Sequence, residues 1–141
     1  MHELVRLAGS MGLQVHGVYL PAPKLGLWSP SESRIYFDMR LTPAERRSVV
    51  AHELGHAHHG HTCDGAKQER QADTYAALLL IAPGAYARLE SIGLSITDIA
   101  EELDVTERIV TAYTTHCLSR IGDATYRRPK MGFGQWQFRS A

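Results

Sequence analysis

The sequence predicts an α+β domain in which a small three-stranded sheet packs on one central helix and a helical C-terminal part follows. Three observations carry that expectation. Short apolar runs separated by turn residues fill the first forty positions, helical periodicity takes over from residue 43 to residue 81, and a short helical pair is written between residues 95 and 120. At 141 residues and 44% hydrophobic content, the chain can bury about two thirds of its unfolded surface, enough for one core without disulfides. Residues 1–122 are expected to form that domain and residues 123–141 a tail.

Glu3 to Met11 reads as a short helix closed near Gly12, and Leu13 to Leu20 alternates as a strand. Leu25-Gly26-Leu27-Trp28 and Arg34-Ile35-Tyr36-Phe37-Asp38 flank the turn-rich Ser29-Pro30-Ser31-Glu32-Ser33, which suits a hairpin. If the strand at Ile35 to Asp38 lies at an edge beside a cleft, its unpaired backbone groups can hold an extended peptide; the alternative is an edge covered by another segment. Thr42, Pro43 and Glu45 then fill the N-cap, N1 and N3 positions of a capping box. The helix they start should run from about Pro43 to His59 or Gly60, burying a stripe of Val49, Val50, Leu54 and Ala57. A second helical run covers Lys67 to Ile81.

Further on, Ile99 to Val110 has the pattern of a helix-turn-helix, with Thr106 as N-cap and Ile99, Leu103, Val105 and Ile109 as its small core. Its second helix, expected over Glu107 to Arg120, offers only Arg108, His116 and Arg120 as basic residues. That is too few for the phosphate contacts that dominate affinity for nucleic acid, so protein packing is expected instead. The tail, with Tyr126-Arg127-Arg128-Pro129-Lys130 and Phe133, Trp136 and Phe138, is basic and aromatic. No stable helix is expected there. Such a tail can add a strand, cover an apolar surface, contact a partner or lie across a cleft as an inhibitory segment.

The densest chemistry lies in His52-Glu53-Leu54-Gly55-His56. On a helix, residues four apart stack on one face about 6 Å apart, so both imidazoles can reach one ion while Glu53 sits beside it. Three protein ligands around Zn²⁺ leave a position for water, whose pKa falls to about 7, and the adjacent carboxylate can take its proton. A third ligand is available in Glu69, thirteen residues after His56. Asp73 shares its helix face and can orient a ligand imidazole through the Nδ1 proton. His61 competes for the third position, but the longer pattern with three histidines needs Gly and His at 59 and 62, where this chain has His59 and Thr62. Glu69 is therefore assigned. His58, His59 and His61 are expected to be exposed or to support the ligands, and Cys63 to be a free buried thiol.

Fifteen basic and fifteen acidic residues give no net charge, and hence no global attraction to nucleic acid or membrane. No run approaches the roughly 18 apolar residues needed to span a bilayer, and no charged start precedes an apolar signal segment. A cytoplasmic location is expected, with Cys63 and Cys117 as separate thiols.

Together, Arg34 to Asp38, Arg46 to His56 and Glu69 to Pro83 resemble the ImmA/IrrE metallopeptidases, with the likeness extending over about residues 10–120. The resemblance implies a zincin-like fold, with a strand ahead of the HExxH helix and a third zinc ligand on the next helix, which ends in an apolar run closed by a proline such as Pro83. It implies that His52, His56 and Glu69 bind Zn²⁺, that Glu53 is the catalytic base, and that Asp73 stands where the family commonly has Asn or Asp. It also implies a cytoplasmic endopeptidase that acts on a helix-turn-helix repressor of a phage or other mobile element. Tyr75, Tyr126 and His58 are candidate donors to the developing oxyanion. The alternative is a non-catalytic regulator that keeps the metal structurally and binds a repressor or DNA, in which Glu53 would have no task.

Overall fold

A computed structural model describes residues 1–120 and 127–129. Helix α1 (His2–Ser10) leads through Gly12 into β1 (Gln14–Val18). β2 (Gly26–Ser29) and β3 (Arg34–Asp38) form the expected hairpin, paired antiparallel from Gly26↔Phe37 to Ser29↔Arg34. β1 pairs parallel with β3, so the sheet order is β1-β3-β2 and the architecture is α+β.

That order corrects the expectation of an edge at Ile35 to Asp38. β3 is the central strand, and its backbone groups are taken up on both sides; β2, pressed against the helix that follows, holds the edge nearest the candidate site. The periodicity of three short strands fixes which residues alternate, but the parallel pairing of β1 with β3 is a long-range choice that the pattern does not encode.

The connection from β1 to β2 is tied down by Asp38, which is buried at the end of β3. Its carboxylate accepts from the Leu20 and Arg40 backbone N–H groups and from the Arg40 guanidinium, at 2.7–3.0 Å. Those hydrogen bonds hold the Asp38 carboxyl well below the ordinary carboxylate range. Arg40 also donates to the Leu20 carbonyl at 2.7 Å, fixing the start of the Leu20 to Leu25 segment that rims the site.

α2 (Pro43–His58) starts with the full capping box: Thr42 Oγ1 accepts from the Glu45 N–H and Glu45 accepts from the Thr42 N–H. Its buried face is Ser48, Val50, Ala51, Leu54, Gly55 and His56, while Val49 and Ala57 are only half-buried and Val49 lines the cleft. α3 (Ala66–Leu80) packs along α2. Their approach depends on Gly55, where a Cβ would stand 2.8 Å from Ala72 Cα and 2.9 Å from its carbonyl oxygen. Glu69 lies one turn before that crossing and is thereby brought over α2.

α4 (Pro83–Ser91) was not anticipated: Pro83 occupies the first turn of a new helix as well as following α3. α5 (Ile96–Leu103) is capped by Ser95, whose Oγ accepts from the Asp98 N–H, and ends in the left-handed Asp104. α6 (Glu107–Ala112) continues into a π-helical turn, Tyr113–Cys117. The helix expected to reach Arg120 therefore stops at Cys117, and Leu118–Arg120 becomes β4, paired antiparallel with β5 (Arg127–Pro129). Ile99, Val105 and Ile109 are buried as expected, and Leu103 is half-buried. Thr106 occupies the N-cap position without a side-chain cap bond; its N–H donates to Ser48 Oγ at 3.1 Å. Arg47 donates to the Leu103 and Asp104 carbonyls, at 3.3 and 2.6 Å, satisfying acceptors at the α5 C-terminus.

One apolar core runs from Leu4 and Ala8 through Ile35, Val50, Leu54 and Ala76 to Ile109, Val110 and Tyr113. The helical pair is thus built onto the same core as the sheet. Among the described residues no helix is long and apolar enough to cross a membrane. The tail from residue 123, with its open options of added strand, surface cover, partner contact or inhibitory segment, lies outside the described residues apart from the strand at Arg127–Pro129.

Candidate active site

The capping box and the register of α2 place His52 and His56 one turn apart, facing α3. Across the Gly55 crossing, Glu69 Oε2 lies 2.8 Å from His52 Nε2 and 2.9 Å from His56 Nε2, and the two Nε2 atoms are 3.1 Å apart. Two imidazole nitrogens and one carboxylate oxygen suit Zn²⁺, whose 2.0–2.1 Å bonds in a tetrahedron separate ligand atoms by about 3.3 Å. The three residues could hold one metal ion.

Each imidazole has a partner on its other nitrogen. His52 Nδ1 lies 2.8 Å from Asp73 Oδ1, one turn beyond Glu69 on α3. Asp73 Oδ2 in turn accepts from Arg108 of α6, at 3.0 Å from Nη2 and 3.3 Å from Nε. The helical pair thus reaches the site through a carboxylate. His56 Nδ1 lies 2.9 Å from His61 Nδ1, and His61 Nε2 lies 2.8 Å from Gln71 Oε1. His61 therefore stands behind His56, outside the donor triangle. Arg108 and Gln71 are the contributors that sequence reasoning did not place, whereas His61, expected to be exposed or to support the ligands, stands against His56.

Glu53 has a different environment. Burial is the main influence on it, opposed by the charge of His52 and reinforced by Glu69 and Asp64, and its pKa is pushed up to about 7. Burial opposes charge on His52 as well, but the Asp73 hydrogen bond and the Glu53, Asp73 and Glu69 carboxylates outweigh it and raise its pKa. Burial and the neighbouring His52 lower that of His56. For Asp73, burial pushes up while the His52 and Arg108 hydrogen bonds pull down, and the balance lies below the ordinary value. The site thus pairs a clamped, ionised Asp73 with a Glu53 that changes protonation near neutrality.

Glu53 and Glu69 lie where two cavities meet. One, of about 450 Å³, is lined by Pro23, Leu25, Gly26, Val49, His52 and Arg108 among others. The other, of about 330 Å³, is lined by Lys24, Trp28, His56, His61, Cys63 and Asp64 among others. Gly26 of β2 belongs to both, and a Cβ there would collide with Val49 and Glu53, so the bare strand is what lies this close to α2.

A protein-family model, the IrrE N-terminal-like domain Peptidase_M78, matches residues 15–113. The chain belongs to that family. The match covers the sheet, α2, α3 and the helical pair, and it makes the fold that of a zincin-like metallopeptidase. No curated protein matches the chain.

Three expectations around this IrrE N-terminal-like site need correction or relocation. Cys63 is exposed, not buried, because the chain leaves α2 there for an open turn; Cys117 is the buried thiol. Tyr75 is buried in the core with its ring 4.8 Å from that of His58, and neither residue lines the two cavities beside Glu53. Tyr126 lies outside the described residues.

Proposed function

We propose that this protein is a zinc-dependent endopeptidase in which His52, His56 and Glu69 hold the ion and Glu53 is the general base. The observation that carries the reading is the convergence of the three donor atoms beside the half-buried Glu53 carboxylate at the junction of two cavities. When bound, zinc supplies Lewis acidity toward a water and the scissile carbonyl. The chain's own residues do the remainder. Glu53, with a pKa of about 7 in the metal-free protein, takes a proton from the attacking water and returns it to the leaving amine. Asp73 keeps the His52 Nδ1 proton, directing Nε2 toward the ion, and Arg108 holds Asp73 in place.

A peptide extended along the edge of β2 would have chain on both sides of Glu53, which supports internal rather than terminal cleavage. The substrate in this reading is a regulatory protein, a helix-turn-helix repressor of a phage or related mobile element, met in the cytoplasm. The resemblance to the ImmA/IrrE metallopeptidases is what supports that substrate class. Nucleic acid is not the partner in this reading, since Arg108, a basic residue of the helical pair, is engaged by Asp73.

The test is incubation with a candidate helix-turn-helix repressor. Metal-dependent fragments that are absent with Glu53→Gln support the reading; an intact repressor in the presence of zinc contradicts the substrate assignment. A metal-containing regulator without catalysis would instead keep its function in Glu53→Gln.

A further inference from the structure

The end of α2 does more than stop a helix. His59 is its C-cap, Gly60 takes the left-handed conformation at φ +67°, and the chain folds back so that the Gly60 N–H reaches the Ala57 carbonyl (3.1 Å) and the His61 N–H the His56 carbonyl (2.9 Å). This is a Schellman motif. It places the residue after the glycine beside the residue five positions earlier, where an apolar contact is usual. Here the two residues are His61 and His56, and their Nδ1 atoms are 2.9 Å apart. His61 continues to Gln71 Oε1 at 2.8 Å, two residues after Glu69 on α3.

We propose that His61 and Gln71 are positioning residues that fix His56 with its proton on Nδ1 and its Nε2 lone pair turned to the metal. The inference rests on the zinc-site reading above. The Gln71 carbonyl can only accept, so His61 carries its proton on Nε2 and offers a lone pair at Nδ1. His56 must then donate from Nδ1, which leaves Nε2 unprotonated beside Glu69 and His52. His52 receives the same service from Asp73 and Arg108. The two ligands of α2 are therefore oriented by different devices: a carboxylate on α3 for one, the helix's own C-cap for the other. Because the His56 supporter is an imidazole rather than a carboxylate, it holds His56 in direction without adding negative charge.

The test measures zinc affinity, by competition with a chromophoric chelator, for wild type, His61→Leu, His61→Asn and Gln71→Leu, with folding of each checked by circular dichroism. Partners of metal-ligating histidines typically contribute 10–100-fold to affinity. His61→Leu should weaken zinc binding by about that factor, and Gln71→Leu, acting through His61, by less. His61→Asn places a carbonyl oxygen where Nδ1 stood and should recover most of the loss. In the zinc-loaded wild type, the His56 Nδ1 proton should appear by NMR as an exchange-protected resonance that is lost in His61→Leu. Affinity within twofold of wild type in His61→Leu, with that resonance retained, overturns the positioning role alone. Equal losses in His61→Leu and His61→Asn overturn it in favour of direct ligation or packing. A wild type that binds no zinc removes the site reading and the inference together.

Discussion

Replacing Glu53 by Gln should stabilise the metal-free protein while removing its activity. Burial lifts the Glu53 pKa from 4.5 to about 7. Between those values the folded protein keeps a proton that the unfolded chain has lost, so folding takes up a proton and stability falls as pH rises through that window. Above pH 7 the penalty for holding an ionised carboxylate in the site is fully present. The pKa rise corresponds to about 3 kcal/mol, and the part that develops between pH 5 and pH 8 is about 2 kcal/mol. Gln has the same shape and no charge to desolvate. Urea unfolding of chelator-treated wild type and Glu53→Gln at pH 5 and pH 8 measures this, the difference between the two proteins reading Glu53 together with its coupling to His52. The variant should gain about 2 kcal/mol over the wild type between the two pH values. Equal stability differences at both pH values would refute the desolvation account of this residue.

Asp73→Ala should weaken zinc binding by about 10–100-fold by freeing the His52 ring, measured by chelator competition. Gly55→Ala should destabilise the fold by about 1–3 kcal/mol and lower zinc affinity with it, because the new Cβ meets Ala72 backbone where α2 and α3 cross; thermal unfolding and zinc titration read the two effects. Thr42→Ala removes one half of the capping box and should cost about 1 kcal/mol in urea unfolding without altering zinc stoichiometry, since the site lies more than two turns away. Removing metal with a chelator should abolish cleavage, and added zinc should restore it, followed by fragment formation on a gel.

Much of the fold was legible because its signals are local. The Thr42-Pro43-Ala44-Glu45 cap, the strand alternation and the Ser29 to Ser33 turn depend on neighbours in sequence, and each element appears within a residue or two of its expected span. The order of strands was not legible, since the parallel β1–β3 pairing is decided by packing across the whole sheet. The spacing of His52, His56, Glu69 and Asp73 brought the candidate site into view, because helical periodicity converts spacing into a shared face. Arg108 was counted as a base for nucleic acid, yet it faces Asp73 thirty-five residues earlier, a contact set by how α6 docks on α3. His61 was set aside as a ligand and expected, with His58 and His59, to be exposed or to support the ligands, without a partner being named. The signal for its actual place was the Gly60-His61 pair after a helix end, which sets His61 against His56 by backbone geometry alone. Cys63 was expected inside on the general tendency of thiols, and the open turn between α2 and α3 outweighs that tendency.

The central claim is a three-ligand zinc site, and bound zinc per chain tests it most directly. Elemental analysis of untagged wild type, Glu53→Gln and Glu69→Ala, purified without added metal, should give close to one zinc per chain for the first two and almost none for the third. Zinc absent from the wild type, or unchanged in Glu69→Ala, would contradict it.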